Sequence, residues 1–94
     1  MESPLHRVIE SLRGAMLEPV KLPEAIKAFQ TMVWNSEEWE SHYSNDAVEV
    51  LSDLAYDLDF YEPDAPTRAE DPSYYGANRA IQKITIALKR IGSL

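Results

Sequence analysis

Leu5, Val8, Ile9, Leu12 and Met16 recur at spacings of three and four residues near the start of the chain. That spacing places them on one stripe of an α-helix. Ser3-Pro4 suits its start, with a serine N-cap followed by proline at the first helical position, and Glu18-Pro19 should stop it, with Gly14 weakening its last turns. A second stripe, Ile26, Phe29, Met32 and Val33, predicts a helix from about Pro23 that fades near Asn35. Ser36-Glu37-Glu38 resembles a fresh N-cap with acids in the first turn, so a short helix is expected there. Val48, Leu51, Leu54, Ala55 and Leu58 predict a third long helix from Asn45 or Asp46, with Glu49, Asp53 and Asp57 on its wet face. Ile81, Ile84, Leu88 and Ile91 predict a last one, with Lys89 and Arg90 favourable to its dipole and Gly92 as terminator.

No segment alternates as a strand would, and no repeat is evident. Four amphipathic helices with short links imply an all-α fold, a compact antiparallel four-helix bundle, with an acidic, proline-containing loop before the last helix. A chain of 94 residues fits a single domain, 1–94. Trp34 and Trp39 border the break after the second helix, where packing the end of the bundle is the expected role.

Between the third and last helices lies DLDFYEPDAPTRAEDPSYYG, Asp57 to Gly76, with six acids, one base, four aromatics and three prolines. It is too acidic for a core and too aromatic for an idle linker. Charge sharpens the contrast. The chain is balanced up to Asn35, carries a net −11 from Ser36 to Tyr75 with Arg68 as the sole base, and carries +4 from Gly76 onward. Nucleic acids and anionic membranes are therefore disfavoured as partners, and basic proteins are favoured. The start of the chain lacks the apolar run of a secretory signal, no stretch approaches a membrane span, and cysteine is absent. These features are those expected of a cytoplasmic protein without disulfides.

Candidate chemistry is sparse. There is no Cys nucleophile, phosphate loop or HExxH motif, and His6 and His42 stand apart. Carboxylates on a polar helix face and an open loop have no evident means of raising a pKa, so we expect no enzyme. Asp57, Asp59, Glu62 and Asp64 crowd together, but Pro63 and Pro66 fall where a calcium loop needs its glycine, so neither metal nor cofactor is expected. Recognition is left. Asp59, Glu62 and Asp64 cluster at the carboxyl end of the third helix, where acids oppose the dipole, which suggests that a partner rewards them. Pro63, Pro66 and Pro72 stiffen the loop and lower the entropy lost on docking. Tyrosines are favoured at interface hot spots. We assign partner contacts to Asp57, Asp59, Tyr61, Glu62, Asp64, Glu70, Asp71, Tyr74 and Tyr75, while Phe60 is expected to cap the bundle.

An acid at Asp59, then Tyr61-Glu62-Pro63-Asp64, then Arg68, ahead of a helix ending in ALKRI, resembles the colicin D immunity family of bacterial self-protective proteins. The likeness covers roughly the last 45 residues; the first half agrees only as two amphipathic helices. It implies a four-helix bundle that binds and blocks a cognate toxin. In colicin D the toxin domain cleaves tRNA, and its immunity protein sets acids against the basic active-site cleft in place of RNA phosphates. By position those acids are Asp59, Glu62 and Asp64. Pro66, the longer spacing to Arg68 and the EDPSYY extension depart from the family pattern. The resemblance implies as partner a basic toxin domain, expected to be an RNA-cleaving nuclease, with no direct contact to nucleic acid, membrane or small-molecule substrate. The alternative is an adaptor that docks a housekeeping protein through the same acidic Tyr/Pro-rich loop.

Overall fold

The computed structural model describes residues 4–35 and 37–92. The caps expected at Ser3 and Ser36 lie outside them. Four long helices form the molecule: α1 (Pro4–Leu17), α2 (Leu22–Asn35), α3 (Asn45–Asp57) and α5 (Ala77–Arg90). A single turn, α4 (Ala65–Arg68), interrupts the loop before α5, and 3-10 turns at Pro19–Lys21, Glu38–His42 and Leu58–Phe60 make the remaining corners. Among the described residues there is no strand, only one parallel bridge between Tyr61 and Tyr75. No helix among the described residues is long and apolar enough to cross a membrane. The bundle measures 42 × 23 × 21 Å.

Each stripe turns inward. Leu5, Ile9 and Leu12 of α1, Ile26 and Phe29 of α2, Leu51, Leu54 and Ala55 of α3, and Ile84 and Leu88 of α5 are buried in one cluster. Val8, Met16, Met32, Val33, Val48, Ile81 and Ile91 pack around it, half-buried. Small residues at Ala25, Ala80 and Ala87, also buried, allow close approach of the helices. Removing each large side chain from water contributes about 1.5–3 kcal/mol, which is how so short a chain holds one core. The short segment after α2 is the 3-10 turn Glu38–His42. It carries Trp39 into the core at 2% exposure, with the indole Nε1 donating to the Val33 carbonyl at 3.4 Å. Trp34, expected to share that role, is instead half exposed.

The helix ends follow local chemistry. Ser44 caps α3 by accepting from the Ala47 amide at 3.2 Å, one residue ahead of the expected start. Gly92, at φ 76°, closes α5 in the left-handed conformation that a Cβ disfavours, and its amide donates to the Lys89 carbonyl at 3.1 Å. Across the bundle, α3 and α5 run antiparallel, so Asp57 at the end of α3 stands beside Lys83 in the first half of α5.

Candidate functional site

The acidic loop begins where α3 tightens into the 3-10 turn Leu58–Phe60, whose Leu58 is buried. Its two ends are tied together. The Glu62 amide donates to the Tyr75 carbonyl at 2.9 Å, and the Tyr75 amide donates to the Phe60 carbonyl at 3.1 Å. The Tyr75 side chain is 6% exposed, and its hydroxyl donates to the Asp57 carbonyl at 2.6 Å. Its ring has the Arg79 guanidinium and the Lys83 ammonium each 5.7 Å from the centroid, within reach of a cation–π attraction. Burial, with the Asp57 carboxylate and hydrogen bond adding to it, pushes the Tyr75 hydroxyl well above the ordinary phenol pKa. Tyr75, expected to meet a partner, is therefore a core residue that locks the neck of the loop.

Asp57 departs from its expected role too. Its Oδ2 lies 2.9 Å from Lys83 Nζ, so its charge is met within the chain. At partly exposed side chains such a pair contributes under about 1 kcal/mol, yet it joins α3 to α5 beside the neck.

Beyond the neck the loop is ordered by its own side chains. Asp64 caps α4, its Oδ2 accepting from the Thr67 amide at 3.1 Å and from the Thr67 hydroxyl at 2.6 Å. These bonds, foremost the hydroxyl's, hold the Asp64 carboxyl below the usual carboxylate range. Asp64 thus sits at a helix amino end, where an acid is favoured, and not at the carboxyl end of α3. Its presence has a local cause and needs no partner to explain it. Asp71 accepts from the Ser73 amide at 2.8 Å, an Asx turn that prepares the return of the chain. The Arg68 guanidinium lies against Gly76, across the end of the loop, where a Cβ would have to push its flexible end aside.

The outward groups are then Asp59, Asp64, Glu70 and Tyr74, all exposed, with Glu62 and Asp71 half-buried at the edges. Tyr61 is half-buried against the core, and burial, opposed by Arg68 and aided by Glu62, raises its hydroxyl pKa. Phe60 packs against the core as expected, edge-on to exposed Tyr56 at 6.4 Å between ring centroids. Among the described residues, no lysine, arginine or histidine lies within 4.0 Å of the carboxylates of Asp59, Glu62, Asp64, Glu70 or Asp71. Arg68 is the cation whose field reaches Asp64 and Tyr61. No group of three or more His, Asp or Glu side chains among those residues converges to hold a metal ion.

Sequence reasoning had Arg68 in the motif and the basic last helix against the acidic third one, but it gave Lys83 and Arg79 no part in holding the loop. Arg79 and Lys83 are four apart on α5, one face, directly after Tyr75; that spacing was the available signal. Compared with models of protein families, with curated proteins and with solved structures, the chain finds no match.

Proposed function

We propose that this chain is an immunity-type inhibitor: a non-enzymatic protein that binds a cognate basic toxin domain, probed first as an RNA-cleaving nuclease, by seating carboxylates in the cleft meant for phosphates. The observation that carries the reading is the tied loop, whose Asp59, Glu62, Asp64 and Glu70 carboxylates lack an ion-pairing cation of their own while its neck is fixed to the core. A carboxylate that is already positioned and has no cation of its own loses little entropy and no ion pair when a cation meets it. The motif shared with the colicin D immunity family, Asp59 with Tyr61-Glu62-Pro63-Asp64, supports the same reading. The contact set is reduced to Asp59, Glu62, Asp64, Glu70, Asp71 and Tyr74, with Tyr61 at its edge; Asp57 and Tyr75 hold the loop in place.

Capture of partners from the source cells by the chain and by Asp59→Lys/Glu62→Lys tests this. The wild type should retain a basic toxin, encoded beside it, that the variant loses; equal recovery of the same partner by both contradicts the proposal. The adaptor alternative draws on Tyr74, whose exposed ring beside the acids suits a neutral partner as well. A metabolic gene neighbourhood, with no toxin reading frame, would favour it.

A further inference from the structure

On the face away from the core, α3 and α5 enclose a groove of about 180 Å³. That is below the roughly 300–1,000 Å³ of small-molecule pockets. Asp53 and Asp57 form its α3 wall, Lys83 and Arg90 its α5 wall, and Val50 and Ile86 lie between them. Ile86 is 59% exposed, an unusual place for an isoleucine in the middle of a helix. Lys83 and Asp57 pair with each other, whereas Asp53 and Arg90 form no ion pair among the described residues.

One wall acidic, one wall basic and an apolar seam have a symmetry consequence. A two-fold axis lying in this face and parallel to the helices puts α3 of one copy opposite α5 of the other, at the same height. Each acidic wall then meets a basic wall, twice over, with Ile86 near the axis. An axis across the helices would instead oppose acid to acid. Isologous contacts require such self-complementarity.

We infer that the α3/α5 face is a docking surface for a second copy of this chain, related by a two-fold axis parallel to α3 and α5. The face is small. Helices of 13 and 14 residues are about 20 Å long, and two of them about 10 Å apart cover roughly 400 Å² per partner. That is half of a standard interface of about 800 Å² per side, so the dimer is weak and its population follows concentration and salt. Both acidic loops emerge at one end of it. The inference does not rest on the inhibitor role, because a chain that binds no toxin could still pair in this way.

Sedimentation equilibrium of the purified chain at concentrations up to about 1 mM tests it. A monomer–dimer equilibrium is expected, weakening as ionic strength rises. Asp53→Lys and Arg90→Glu, at exposed positions, should each weaken self-association by about tenfold or more, since each places two like-charge contacts in the dimer. Mixing the two variants should restore it. The lysine introduced in one copy then faces the glutamate introduced in the other, while the unaltered Asp53 of the second copy faces the unaltered Arg90 of the first. Unchanged melting temperatures show that each variant folds. A monomer at every concentration and salt overturns the inference and leaves the groove to solvent or to a different partner. So does a dimer indifferent to both substitutions, or a mixture that stays monomeric.

Discussion

Tyr75 shows how much one side chain can do in a small bundle. Its hydroxyl bond to the Asp57 carbonyl, buried beside α5, joins the end of α3 to the start of the last helix. Tyr75→Phe should lose about 1 kcal/mol at neutral pH, read from urea unfolding with an unchanged m-value. The pH dependence has a definite sign. The folded-state pKa is raised above the unfolded value of about 10, so this contribution is complete below about pH 10 and is lost as pH rises through the folded value. As pH rises above about 10 the wild type should therefore lose stability more steeply than Tyr75→Phe, with Tyr61, its pKa also raised, adding a slope common to both. Trp39 is the heavier anchor: Trp39→Ala empties a site 2% exposed and should cost about 3–5 kcal/mol in thermal or urea unfolding. By residue type Tyr61, Tyr74 and Tyr75 are alike, and a loop has no period to sort them. Only the ladder between Phe60, Glu62 and Tyr75 separates the anchor from the exposed ring, and that pairing spans residues whose contact no local pattern announces.

At the scale of elements, periodicity was the legible signal. The stripes from Leu5, Ile26, Leu51 and Ile84 gave α1, α2, α3 and α5 with their buried faces, because a 3.6-residue repeat survives any detail of packing. Caps were less legible: α3 starts at Asn45 as expected, but the side chain that caps it is Ser44 just ahead, and Ser44→Ala should cost about 1 kcal/mol in thermal unfolding. The turn α4 could not be read from stripes, since four residues carry none; Asp64-Ala65-Pro66-Thr67 is instead a capped start with proline in the first turn. The Asp64 carboxyl is lowered by its bonds to Thr67. The cap is accordingly complete above the ordinary carboxyl pKa of about 4 and is lost as pH falls through the lowered value. The Thr67 amide, followed by NMR, should keep its cap-bonded shift at pH 5 and lose it only in more acid solution; Asp64→Ala should lack that shift at any pH.

Across the whole molecule, charge is segregated: −11 from Ser36 to Tyr75 against +4 beyond it. Part of this imbalance is settled internally where Lys83 meets Asp57, and part remains outward on the loop and on α3 at Asp46, Glu49 and Asp53. A field of that shape accelerates encounter with a basic surface more than it strengthens the final contact, and salt screens it over about 10 Å at 0.1 M. The candidate surface was legible as a stretch, because acids, prolines and tyrosines concentrate there. Its division into anchors and presented groups was not, because that division depends on Lys83 and Arg79 arriving from α5. The decisive measurement is titration of the purified chain, and of Asp59→Lys/Glu62→Lys, against the basic domain proposed as its partner, once capture has supplied one. A one-to-one complex is expected, with salt slowing association and the charge reversal raising Kd by about 30-fold or more. Equal affinity of the two proteins for that domain would contradict the account.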